Sequence, residues 1–186
     1  MEHLNYLNDT WALYFHSAQE TNWTMSSYEL LGQVSSVEEF VDMHQHLSQH
    51  LHKGIWFLTR EHIHPSWDDS ANIDGGCLSI KVLKPQASDY WFKLCSRMLG
   101  ETLLRESHAH LWDHVNCVSI SPKKHFVILK IWTRTDQIGT RELFDIGTDY
   151  GGEMFFKSNR ELIIGNNTCR APPPSAVPEK AMDTTT

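Results

Sequence analysis

Apolar positions along this chain come in short blocks separated by polar turns, and their spacing sets the expected elements. Residues 11–15, 28–34, 54–59, 77–83, 115–121, 126–133 and 161–164 are rich in Val, Ile, Leu, Trp, Tyr and Phe and read as strands. Two stretches follow helical spacing instead. Ser36 with Glu39 offers a capping box, after which Val37, Phe40, Val41, His44 and Leu47 fall on one side. Ser88 or Asp89 can cap a second helix, in which Trp91, Leu94, Cys95, Met98 and Leu99 make one stripe. A third helix is expected around 140–150, where Leu143, Phe144 and Ile146 recur. Pairs of strands separated by helices imply an α+β domain, a largely antiparallel sheet with helices on one face. Ser121-Pro122-Lys123-Lys124-His125 should turn a hairpin between two of its strands. From Asn166 the chain is polar and contains Pro172-Pro173-Pro174, so residues 1–165 are expected to form the domain and 166–186 a disordered tail.

Composition narrows the functional classes. The 186 residues suit one well-buried domain. No apolar run approaches the roughly 18–20 residues of a membrane span, and the N-terminus lacks the pattern of a signal peptide. Cys77, Cys95, Cys117 and Cys169 are widely spaced, as expected of reduced thiols in a cytoplasmic or nuclear protein. The net charge of −7 excludes a broadly basic nucleic-acid surface, leaving room only for a local basic cluster and a small, defined ligand.

Such a cluster is present. Alternation along 126–133 puts Ile128, Lys130, Trp132 and Arg134 on one side and Val127, Leu129 and Ile131 on the core side. An indole and two cations should therefore stand on an open sheet surface, with Lys123 and Lys124 at the hairpin tip. Trp23, in Thr21-Asn22-Trp23, and Trp67, in His64-Pro65-Ser66-Trp67-Asp68-Asp69, sit in polar, turn-like settings. Displayed indoles are platforms for flat or cationic ligands. Each of these features has a structural explanation when taken alone: a surface anchor for the tryptophans, a turn role for the Asp pair, a solvated strand face for the cations.

Taken together, the run from Trp11 to Thr133 resembles the eukaryotic translation initiation factor 4E family, which binds the 7-methylguanosine cap of messenger RNA. The similar stretches are Trp11-Ala-Leu-Tyr-Phe, Thr21-Asn-Trp23, Ser36-Val-Glu-Glu-Phe40, Ile63-His-Pro-Ser-Trp67-Asp68-Asp69, Gly75-Gly76, Tyr90-Trp91 with Gly100-Glu101, and Ile131-Trp132-Thr133. The resemblance implies a strongly curved antiparallel sheet of about eight strands backed by three helices on its convex face. It implies that Trp23 and Trp67 sandwich the methylated base, that Asp68 pairs with its edge, and that Trp132 packs near the N7 methyl group. Asp68 stands where the family usually has Glu. Cys77, Ser121 and Ile128 stand where basic residues are common, so the triphosphate is assigned to Lys123, Lys124, Lys130 and Arg134. On the convex face, a scaffold or repressor protein is expected to meet Tyr6, Leu7, Val37, Val41, Phe92 and Lys93, with Val41 in place of the usual Trp and Lys93 in place of an acidic residue.

Rival functions fit less well. A cap hydrolase would want carboxylates at metal-binding spacing, and a methyltransferase would want a Gly-rich strand-to-helix loop. Neither is found, so neither an enzyme nor a cofactor is expected. The His-x-His pairs at 44/46, 50/52, 62/64 and 108/110 lack partners at zinc-ligand spacing. A methyl-ammonium reader would suit the tryptophans and Asp68 but not the basic strand. A cap-sequestering protein that recruits no scaffold stays open as an alternative.

Overall fold

The computed structural model describes residues 4–147, 150, 152 and 154–169. It forms one seven-stranded antiparallel sheet in the order β2-β1-β3-β5-β6-β4-β7. The strands are β1 (Tyr6–Ser17), β2 (Glu29–Ser36), β3 (Gly54–Arg60), β4 (Gly76–Leu83), β5 (Val115–Pro122), β6 (Phe126–Thr133) and β7 (Met154–Ser158). The helices are α1 (Val37–Leu47), α2 (Ala87–Leu99) and α3 (Asn159–Cys169), with a 3-10 stretch over Glu106–His114.

The faces of the sheet follow from alternation. Leu13, Leu58, Leu78, Ile80, Val118, Ile120, Leu129 and Ile131 point to one side and merge with Phe40 and Leu47 of α1 and with Trp91, Leu94 and Met98 of α2 into the main core. Six strands and two helices stand where their apolar patterns put them. The α1 capping box is complete: Glu39 N donates to Ser36 Oγ, and Ser36 N donates to Glu39 Oε2. The β5–β6 hairpin closes through Lys123 N donating to the Phe126 carbonyl.

Three expectations fail. Helix α2 starts at Ala87 behind Gln86, whose side chain makes no cap bond, so neither Ser88 nor Asp89 caps it. Among the described residues of 140–150 there is a 3-10 turn, Arg141–Leu143, instead of the expected helix, after which Phe144 bridges to Leu104 as extended chain. Residues 161–164 are helical, and the last strand lies before them, at 154–158. That exchange has a local cause: Ser158 Oγ accepts from Glu161 N and starts α3. None of the described side chains of α3 belongs to the main core; the helix adjoins the entry to β4, where Asn159 N donates to the Gly75 carbonyl. The helix runs to Cys169, past the expected boundary at 165, and the tail beyond it lies outside the described residues.

Where β3 leaves the sheet, Arg60 is buried between Trp11 and Trp112, its guanidinium carbon 5.1 and 5.3 Å from the two ring centres. It pairs with Asp9 and donates through Nε to the Val115 carbonyl at 2.9 Å. This fixes the point at which the chain departs toward Trp67.

Candidate functional site

The sheet face away from α1 and α2 carries a second, smaller cluster: Phe57, Cys77, Cys117 and Trp132, with Tyr14, Tyr28, Ile55 and Trp67 packed against it. Two loops rise over this face. The first, between β1 and β2, carries Trp23, half exposed. One face of its indole lies flat on the buried His16 ring, with centroids 3.9 Å apart and planes within 4°. The two ring nitrogens of His16 face the carbonyls of Ser17 and Asn22 at 3.1 and 2.9 Å, so β1 holds this ring and the ring supports Trp23.

The second loop, between β3 and β4, carries Trp67. A buried asparagine network pins it. Asn72 Nδ2 donates to the carbonyls of His64 and Ser66, at 3.1 and 2.9 Å. Asn116 Nδ2 of β5 donates to Asn72 Oδ1 and to the Ala71 carbonyl, and Asn159 Nδ2 of α3 donates to the Asn72 carbonyl. Asp69 is absorbed by the loop as a turn residue, accepting from His64 N and Ala71 N. At the end of the loop a Cβ on Gly75 would fall 1.7 Å from the Thr133 carbonyl oxygen, so only glycine fits.

Asp68 is exposed, and its Oδ1 accepts from Ser66 Oγ, which orients the carboxylate. Its charge reaches the first loop. Burial, with Asp68 adding to it, pushes the Tyr28 phenol up to about 12, and Tyr28 in turn lies edge-on to Trp23 at 6.2 Å and to His64 at 4.7 Å. Burial holds His64 below the usual histidine range, against Asp69, Asp68 and a hydrogen bond to the Met25 carbonyl, which favour its charged form. The His64 ring thus ties the Trp67 loop to the segment just after Trp23. The structure sets Trp23, Trp67 and Asp68 over the same sheet face, linked through His16, Tyr28 and His64; His16 and Asn72, which hold the two loops, were not singled out from the sequence. Their only sequence signal is polar residues inside an otherwise aromatic neighbourhood.

Trp132 differs from expectation. It is on the predicted face but is buried under Phe57 and Trp67, and its Nε1 donates to Ser119 Oγ at 2.9 Å. It is the floor of the site and not an open platform, because the Trp67 loop folds over it. The expected phosphate set is also divided. Lys130 Nζ stands 5.9 Å from the Trp67 ring centre, beside the site. Lys123 and Lys124 lie beyond Phe126 at one end of β6 and Arg134 beyond Thr133 at the other, about 24 Å of strand apart. One triphosphate cannot meet both ends. The three cysteines on the described side chains are buried free thiols, and burial pushes Cys77 up to about 12 despite the nearby Lys130; the Cys169 side chain lies outside the described part.

On the opposite side, Val41 and Phe92 line a cleft of about 250 Å³ between α1 and α2, together with His44, Gln45 and Asp89. Of the other expected partner contacts, Tyr6 and Val37 are exposed, Leu7 packs on the core, and Lys93 turns toward Tyr90, with Nζ 5.8 Å from the ring centre.

The profile of the family described as eukaryotic initiation factor 4E matches residues 6–161. The chain belongs to that family. The eukaryotic translation initiation factor 4E of Candida albicans is 30% identical over 139 residues, which is 69% of this chain and 64% of that protein. The chain therefore spans less than two thirds of that relative's length. Among solved structures, an Ascaris suum eIF4E-3 complex with m7G cap superposes with a TM-score of 0.63 at 21% identity, covering 74% of this chain and 77% of that one. A complex of C. elegans eIF4E-3 with the 4E-binding protein Mextli and cap analog gives 0.72 at 17% identity, covering 87% and 96%. At these identities the superpositions show the 4E fold, an α+β domain built on one curved antiparallel sheet. The family profile reaches across both tryptophan loops and all seven strands.

Proposed function

We propose that this 4E-family chain binds the 5′ 7-methylguanosine cap of messenger RNA for translation initiation, without chemistry of its own and with the cytoplasm as its place of work. The observation that carries this reading is that the two tryptophan loops rise over the same sheet face, linked through Tyr28 and His64, with Asp68 beside Trp67 and Lys130 against its ring. Methylation at N7 leaves the guanine positively charged. A cationic ring between two indoles gains about 0.5–2 kcal/mol per contact beyond ordinary stacking, which unmethylated guanine does not. Asp68 accepts hydrogen bonds from the guanine N1–H and exocyclic amine; adenine offers no such donor edge, so charge-assisted pairing excludes it. Ser66 holds the short Asp68 side chain in place. Trp132 closes the floor under the base, and Lys130 takes the first phosphates. Lys123, Lys124 and Arg134 are too far apart to act on one triphosphate and serve the electrostatic approach of the RNA instead.

Indole fluorescence during titration with 7-methyl-GTP and, separately, GTP tests the reading. Strong quenching by the methylated ligand alone is the expected result. Equal responses, or none, would overturn it.

The cleft between α1 and α2 supports a protein partner, a scaffold initiation factor or a repressor, inserting an apolar side chain between Val41 and Phe92. Asp89 at the cleft favours a basic residue in the partner segment. Val41→Asp should abolish partner capture and leave the 7-methyl-GTP titration unchanged. Loss of both would count against a separate partner surface, and a chain that binds caps yet captures no scaffold would be a sequestering repressor.

A further inference from the structure

Phe155 is a large apolar side chain, 64% exposed, on the edge strand β7. Its neighbours in sequence, Met154 and Phe156, pack on the main core. Alternation therefore turns Phe155 and Lys157 to the open face, where the proposed cap site lies. The register confirms the placement. Phe155 stands opposite Ser79, which stands opposite Lys130; Lys157 stands opposite Cys77, which stands opposite Trp132. Directly opposed residues share a face. Two adjacent rows thus run from the floor of the site, across β4, to the edge of the sheet, with Lys130 and Phe155 about 10 Å apart across two strand spacings.

The chemistry along these rows is ordered. Lys130 stands beside Trp67, Lys157 lies across Cys77, and Phe155 presents an aromatic surface at the end. Among the described residues neither lysine is in an ion pair. A solvated edge strand has no need of an exposed Phe. An aromatic surface next to free cations is the arrangement that binds single-stranded nucleic acid: phosphates on the lysines, a base on the ring.

We propose that Phe155 and Lys157 form a subsite for the nucleotide joined to the cap, with Phe155 stacking its base and Lys157 meeting its phosphate. This rests on the cap-binding reading, since the triphosphate that leaves Trp67 past Lys130 is what delivers the nucleotide to β7. Stacking tolerates any base, so the subsite adds affinity for capped RNA without adding sequence preference.

The test compares 7-methyl-GTP, the dinucleotide 7-methyl-GpppA and a short capped oligonucleotide on the wild-type chain, Phe155→Ala, Phe155→Tyr and Lys157→Gln. Phe155→Ala should weaken the dinucleotide and the oligonucleotide about tenfold while 7-methyl-GTP binds as before. Phe155→Tyr should restore binding, because it keeps the ring. Lys157→Gln should reduce the salt slope for the oligonucleotide by about 0.7. If the wild-type chain binds 7-methyl-GTP but Phe155→Ala leaves the dinucleotide unaffected, the subsite is wrong and the cap site stands; exposed Phe155 would then belong to a protein contact. If Phe155→Ala weakens all three ligands equally, the residue is structural and the subsite is again overturned. If the wild-type chain fails to bind 7-methyl-GTP, both readings fall together.

Discussion

The two tryptophan loops rise over the same sheet face and are held there by different means. The Trp67 loop is fixed from below: Asn72, Asn116 and Asn159 come from three separate elements, all are buried, and they satisfy the carbonyls of His64, Ser66, Ala71 and Asn72. The Trp23 loop is exposed from Ala18 to Ser26, and apart from the His16 and His64 rings meeting the Asn22 and Met25 carbonyls its side-chain hydrogen bonds are short-range, such as Asn22 N to Glu20 and Thr24 N to Asn22. Its indole is held by stacking on His16 and an edge contact with Tyr28. One wall of the slot is built into the fold and the other leans on it. In the proposed cap site, the rigid wall that carries the carboxylate would set specificity, and the wall held by ring contacts would close on the base.

The largest expected effect comes from cutting the buried network. Asn72→Ala removes donors to two carbonyls and the acceptor of Asn116, and a buried polar group left unpaired costs about 1–3 kcal/mol. A loss of roughly 3 kcal/mol in chemical denaturation is expected, together with weaker 7-methyl-GTP binding because Trp67 and Asp68 lose their seat. Cutting the other wall should separate these readouts. Trp23→Ala should cost about 1–3 kcal/mol of cap affinity with little change in stability, since the indole is half exposed. Comparable destabilisation by both variants would remove the distinction between the walls.

A smaller effect should come from His16→Phe. The ring stays under Trp23, while its bonds to the Ser17 and Asn22 carbonyls are lost. Cap affinity should fall a few-fold with the stacking partner retained, and His16→Ala should fall further. If the two variants bind alike, the flat contact with His16 does not orient Trp23.

These contrasts also mark what the sequence can and cannot disclose. Short-range patterns were readable: the Ser36/Glu39 box of α1, the β5–β6 turn, and the alternation that separates Leu129 and Ile131 from Lys130 and Trp132. The Trp-Asp pair and the polar setting of Trp23 singled out two loops that rise over the same face of the sheet. What was hidden depended on distant partners. Nothing local tells that Asn72 meets Asn116 and Asn159, or that the Trp67 loop folds back to bury Trp132. One miss was local. Leu162-Ile163-Ile164 suggests a strand, yet Ser158 and Glu161 repeat the spacing that announced α1, and that cap decides for helix. A short apolar run is ambiguous until its flanks are read.

The pH dependence gives the last and smallest contrast. Burial holds His64 below the ordinary histidine range, opposed by Asp69 and Asp68, and burial does the same to His44 in the α1–α2 cleft, opposed by Asp89. In both cases the unfolded chain takes up the proton more readily than the folded one. Their contribution to stability is therefore complete above about pH 6.5 and is lost as the pH falls from there through the folded-state values. Melting temperature measured from pH 7.5 to 5 should fall toward acid, and His64→Gln or His44→Gln should each flatten the curve. Of these two histidines, His64 touches both tryptophan loops, donating to the Met25 carbonyl beside one while belonging to the other. Its protonation puts a charge in a buried place between the two loops, so His64→Gln should also flatten the acid loss of 7-methyl-GTP binding, whereas His44→Gln should not. Equal effects of the two on cap binding would mean that acid acts through global stability, and that the junction at His64 holds the loops no more tightly than any other buried histidine would.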